Sequence, residues 1–243
     1  MDMKKLFALL VVFWGLSSCS FFQEQKIYLV SVGIADYPGI ENDLRLPAED
    51  ANTIVSIYKA NRKAYAVLLT DSEATRTDII TAMKNTYMKA KRNDIVVFFF
   101  SGHGYEHGGF VAYDKELTYD DVRKAFSESR SKHKMIFADA CFSGKIRTDS
   151  QSSGKKSLGQ DVMLFLSSRS DEVSFERPSM KNGFYTTCLE RCLRGGADAN
   201  KDRVITAKEL YEGVSKGVIK LSQGKQHPVM WGNFDDDMPV MIW

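Results

Sequence analysis

Between residues 95 and 100 the chain reads Ile-Val-Val-Phe-Phe-Phe, an apolar run with no polar alternation. A strand with one wet face alternates polar and apolar residues, so an unbroken run belongs to a strand covered on both faces, as in the middle of a parallel sheet. A second such run, Met135 to Ala138, lies further along, and a Val- and Ile-rich run from Lys26 to Val32 ends in Gly33. Helical patterns separate the runs. Pro47 suits a first helical position with Ile54, Val55 and Tyr58 on one face, and Ile79, Ile80, Met83 and Tyr87 align from about Thr77. Thr118 and Asp121 form a capping-box pattern ahead of Val122 and Phe126. Further strands are expected over Ala64 to Leu69 and Val162 to Leu166, with helices over Tyr185 to Leu193 and from Thr206, and the Met- and Trp-containing terminus is a candidate edge strand. Strands alternating with helices imply right-handed crossovers and a mostly parallel α/β sheet, whose ligands bind beyond the carboxyl ends of the strands.

The amino terminus follows a different logic. Lys4 and Lys5 precede an apolar run from Leu6 to Leu16, followed by Leu16-Ser17-Ser18-Cys19. An eleven-residue helix reaches about 16 Å, roughly half of a bilayer's hydrocarbon core, so a signal peptide over residues 1–18 explains the segment better than a transmembrane span. The tetrad resembles a bacterial lipobox. That resemblance implies cleavage before Cys19, a lipid on its sulfur, a tether over 19–25 and an exported, membrane-anchored domain over 26–243 on the periplasmic face or cell surface; the other reading is an ordinary secretory signal. Three cysteines then remain, Cys141, Cys188 and Cys192, too few for a disulfide framework. Cys188 and Cys192 are one helical turn apart and read as buried apolar thiols.

The 33 basic and 31 acidic residues, for a net charge of +2, are interspersed along the chain, which argues against a nucleic-acid partner. The chemistry concentrates at two strand ends. Ser101-Gly-His-Gly104 follows the first apolar run, and Asp139-Ala-Cys-Phe-Ser-Gly144 follows the second. If those strands pair, His103 and Cys141 project from the same sheet edge, where an imidazole can stabilise a thiolate and later protonate a leaving amine. The Gly104 and Cys141 amides are candidate donors to an oxyanion.

Phe-Ser-Gly-His-Gly and Asp-Ala-Cys-Phe-Ser-Gly resemble the two catalytic blocks of caspases and metacaspases, and Gly33-Ile-Ala-Asp-Tyr37 with Asp50-Ala51 resembles the family's first strand and helix. The resemblance implies a three-layer sandwich, a mostly parallel six-stranded sheet with helices on both faces, and a cysteine endopeptidase that acts on proteins or peptides through a Cys141–His103 dyad without a required cofactor. Phe142 departs from the His that metacaspases often carry there. Caspases that cut after aspartate resemble one another in a glutamine two residues before the nucleophile; here that position is Asp139, and Asp50 maps onto an acidic pocket residue of metacaspases. Two carboxylates imply cleavage after Arg or Lys. The alternative treats Cys141 as a small buried hydrophobe in an inactive scaffold or calcium-responsive adaptor.

Two further expectations concern loops. Asp198, Asn200, Asp202 and Glu209 have the one, three, five and twelve spacing of an EF-hand-like loop over 198–209, a possible Ca2+ site, although Arg203 replaces the usual glycine; a polar loop capped by its own side chains is the competing reading. The linker from Lys145 to Gln160 is rich in Ser, Gly and Lys. The family's corresponding linker is often processed, so self-cleavage is expected there, with Lys155 and Lys156 the favoured sites.

Overall fold

The computed structural model describes residues 24–105, 108–140, 162–169 and 179–243. Its centre is a six-stranded sheet built from β1 (Ile27–Gly33), β2 (Ala64–Thr70), β3 (Ile95–Ser101), β7 (His133–Asp139), β8 (Met163–Leu166) and β10 (Val229–Trp231), in the order β10-β8-β7-β3-β1-β2. The first five strands are parallel, and β10 closes one edge antiparallel to β8. β1, β3 and β7 are in strict register, from Ile27 beside Ile95 beside His133 at one end to Gly33 beside Ser101 beside Asp139 at the other.

The unbroken apolar runs have the expected cause. Ile95, Val97 and Phe99 of β3 enter a core with helices α1 (Pro47–Lys59), α4 (Phe184–Arg191) and α5 (Ala207–Leu221), while Val96, Phe98 and Phe100 enter a second core with α2 (Arg76–Tyr87) and α3 (Tyr119–Ser127). The result is the three-layer arrangement expected from the sequence, with helices on both faces of a mostly parallel sheet. Pro47 occupies the first turn of α1, and Thr118 and Thr206 each form a full capping box, with Asp121 and Glu209 respectively.

Three features escaped the sequence pattern. The segment after His103 forms a small antiparallel sheet of β4 (Gly104–Tyr105), β5 (Gly109–Val111) and β6 (Glu116–Thr118). Short strands β9 (Val204–Thr206) and β11 (Pro239–Ile242) pair apart from the main sheet. The helix expected to reach Leu193 stops at Arg191 and continues as a wider turn through Gly196, where Gly195 has left-handed geometry. Cys188 and Cys192 are buried and free, as their spacing implied, and burial pushes the Cys188 thiol up to about 11.

Candidate active site

His103 stands two residues beyond β3, and Cys141 stands two residues beyond β7 in sequence. Ser101 and Asp139, the last residues of those strands, are register partners, and the Gly102 amide donates to the Asp139 carbonyl at 3.3 Å. Cys141 itself lies outside the described residues, as do Cys19, Lys155 and Lys156.

The imidazole is held from two sides. Its Nε2 lies 2.7 Å from the carbonyl oxygen of Asn42, in the short 3-10 turn Ile40–Asn42 between β1 and α1. A carbonyl oxygen only accepts, so Nε2 carries the proton and Nδ1 is left as the basic nitrogen. On the other side Tyr37 places its ring 4.8 Å from the imidazole, accepts the His103 amide on its hydroxyl at 3.0 Å and donates that hydroxyl to the Val111 carbonyl at 3.0 Å. Burial of the Tyr37 hydroxyl pushes its pKa far up, so it stays a neutral donor. Gly102 has φ 153°, and a β-carbon there would lie 2.6 Å from the Tyr37 hydroxyl oxygen. The glycine before His103 thus admits the phenol that holds the histidine backbone. Gly104 opens β4 and pairs with Phe110, which fixes the backbone after the histidine.

Asp50 and Asp139 do come together. Asp50, in the first turn of α1, is 2% exposed, and Asp139, at the end of β7, is 7% exposed. The Ser101 hydroxyl donates to Asp50 Oδ2 at 2.8 Å, while the Asn182 side-chain amide and the Gly183 backbone amide donate to Oδ1 at 2.9 and 3.1 Å. Asp139 Oδ2 accepts from the Thr186 hydroxyl at 3.0 Å and the Thr186 amide at 3.3 Å, where the first turn of α4 favours negative charge. Gly183 lies between the carboxylates: a β-carbon on it would stand 2.6 Å from Asp139 Oδ2 and 3.6 Å from Asp50 Oδ2. Burial, and then the charge of Asp139, raise the Asp50 pKa well above the usual carboxylate range despite its three donors. Asn42, Asn182, Gly183 and Thr186 were not singled out from sequence, because a backbone carbonyl and residues far along the chain carry no local signal; Tyr37 stood in the Gly33-Ile-Ala-Asp-Tyr37 block, but its contact with His103 did not follow from it.

The 198–209 loop has part of the expected cation-binding shape. Lys201 and Arg203 both adopt left-handed backbone geometry, with φ 62° and 68°. Asp198 Oδ2 accepts the Arg203 amide at 3.1 Å, and Asp198 Oδ1 is buried without a hydrogen-bond partner. Glu209 is engaged on both oxygens, Oε1 by the Ala199 amide and Oε2 by the amide and hydroxyl of Thr206. Among the described residues no three carboxylate, imidazole or thiol groups converge as a metal cage.

Comparison with known proteins agrees with this geometry. A Metacaspase-1 from Candida albicans is 31% identical over 121 residues, which is 44% of this chain and 25% of that protein, so the chain spans about a quarter of that relative's length. A crystal structure of a protein from Geobacter sulfurreducens superposes with a TM-score of 0.66 over 89% of this chain and 97% of the other, at 18% identity, a likeness of fold. The Caspase domain family matches residues 28–238, nearly the whole described fold, and supports a cysteine peptidase-type function in general. With its histidine and cysteine blocks following adjacent strands of a six-stranded sheet, the chain belongs to the caspase domain family.

Proposed function

We propose that the chain is a cysteine endopeptidase that cleaves after Arg or Lys. The observation that carries this reading is the pairing of buried Asp50 and Asp139 around Gly183 at the same sheet edge as His103. A guanidinium or ammonium entering there would meet two carboxylates and relieve their mutual repulsion. In the proposed mechanism Nδ1 of His103 takes the Cys141 thiol proton, and the thiolate attacks the scissile carbonyl. The Gly104 and Cys141 amides stabilise the oxyanion. The imidazolium, steadied through Nε2–H by the Asn42 carbonyl, then protonates the departing amine, and water hydrolyses the thioester. The test is turnover of a peptide panel. Wild type is expected to cleave after Arg and Lys, Cys141→Ala to lose at least about a thousandfold in rate as nucleophile removal does elsewhere, and Asp139→Ala to lose the basic preference. Preferential cleavage after Asp would refute the pocket assignment.

The same reading extends to location and regulation. The residues around Cys19 support a lipid-anchored, exported protein, and the partnerless Asp198 oxygen supports a Ca2+ ion in the 198–209 loop. For that ion Glu209 would exchange the Ala199 amide for the cation, while nothing in the Cys–His chemistry calls for metal.

A further inference from the structure

The charges that alternate along the sequence do not alternate in space. The five parallel strands are entered from the same end of the sheet, and four of the entering segments carry Lys or Arg. Arg62 and Lys63 precede β2, Lys26 precedes β1, Lys91 and Arg92 precede β3, and Lys132 precedes β7. Their backbones are tied across this end: the Ile27 amide donates to the Lys63 carbonyl, the Ile95 amide to Lys26 and the Lys132 amide to Arg92, at 3.0, 2.8 and 2.9 Å. Neighbouring strands are about 4.8 Å apart, so four of them crowd these cations into a band of about 15 Å.

The acidic groups in these segments offset only part of the band. Asp94 is buried and accepts the Lys26 and Lys91 amides, and Glu24 lies 3.5 Å from Lys63. Arg62, Lys91, Arg92 and Lys132 are exposed and, among the described residues, have no ion-pair partner. Amphipathic side chains lie in the same segments: Tyr65 is 52% exposed with Lys26 above its ring, and Met88, beside Lys89, is 64% exposed. On the far side Asp235 and Asp237 line a cleft with Lys132 and bound the patch.

We propose that this strand-entry face docks on an anionic phospholipid bilayer and so turns the catalytic edge away from it. Two observations favour lipid over other polyanions. Exposed Tyr and Met suit the headgroup boundary. Cys19 also stands only five residues before Glu24 at the entry of β1, a span of at most about 18 Å, so the proposed anchor there would hold this face next to the membrane. Each Lys or Arg near an anionic surface contributes about 1 kcal/mol, enough for several together to fix orientation. The seven residues of β1 then carry the catalytic edge about 23 Å from the lipid side. The face itself needs no lipid on Cys19; that reading adds only the tether.

The experiment uses the full chain with vesicles of phosphatidylcholine, with or without about one third phosphatidylglycerol, and maps acylation of lysines by a water-soluble reagent. Lys26, Lys63, Lys91 and Lys132 are expected to react about fivefold more slowly on anionic vesicles, as the quoted energy per cation implies, while Lys216 and Lys220 of α5 are unaffected. About 0.5 M salt should remove the protection, and Lys91→Glu with Arg92→Glu should weaken it without changing peptide turnover. Equal labelling on both vesicle types, or protection by RNA and not by vesicles, would overturn the proposal. Palmitate incorporation, measured separately, reports on Cys19 alone, so failure of the anchor and failure of the face are told apart.

Discussion

Asp50 is held almost out of solvent beside a second buried carboxyl. Its folded pKa is raised, so the native chain binds a proton that the unfolded chain releases near pH 4, and stability falls as pH rises from there through the raised value. Asp50→Asn is therefore expected to raise Tm at pH 8 more than at pH 5, by about 2–4 °C for each kcal/mol gained, and to lose cleavage after Arg; differential scanning calorimetry at the two pH values measures the first part. Equal shifts at both pH values would mean that the carboxylate's charge is not what costs stability. For a bound basic side chain the sign reverses: the cation draws the Asp50 pKa down, and its affinity weakens as pH falls through the raised value. Gly183 offers a separate probe. Gly183→Ala would push a methyl to 2.6 Å from Asp139 Oδ2, inside van der Waals contact. Its expected signature is a KM for Arg peptides raised at least about tenfold, the effect of roughly 1.4 kcal/mol of lost binding, with alkylation of Cys141 by a small reagent unchanged. A loss of alkylation as well would place the damage at the dyad.

At the scale of elements, the main sheet and its helices were legible because their signals are local and periodic. Phe98, Phe99 and Phe100 announce a strand buried on both faces, Pro47 marks a helix start by its fixed φ and missing N–H, and Thr118 and Thr206 mark others by side-chain caps that act within one turn. The small β4–β5–β6 sheet was not legible, since strands of two or three residues are too short for periodicity to register. The histidine and cysteine blocks were legible as motifs, but the Asn42 carbonyl on His103 was not, because any residue offers a carbonyl. Two loops carry their own tests. Calorimetry of Ca2+ into wild type is expected to give heat with an affinity in the range of about 0.1–1 mM, as weak extracellular modules show, and Glu209→Ala to give none; equal heat from both would assign the ion elsewhere. For the linker, incubation of purified protein is expected to yield new amino termini after Lys155 or Lys156, absent from Cys141→Ala. Cuts that persist in that variant would come from another protease.

For the whole molecule, four strands of the sheet come from its first 139 residues, whereas residues remote from one another complete the pocket. β1, β2, β3 and β7 come from residues 27–139, a stretch that also holds Tyr37 and Asn42, which contact His103. Asp50, however, takes its Oδ1 hydrogen bonds from Asn182 and Gly183, which follow it by 132 and 133 residues. Synthesis from the amino terminus therefore delivers His103 and its contacts well before the residues that finish the acidic recess. A chain ending before Asn182 would leave Asp50 without two of its donors and the sheet without β10. The acidic recess is therefore whole only once the chain beyond Gly183 is in place, so truncation before that point removes it whatever becomes of the contacts around His103.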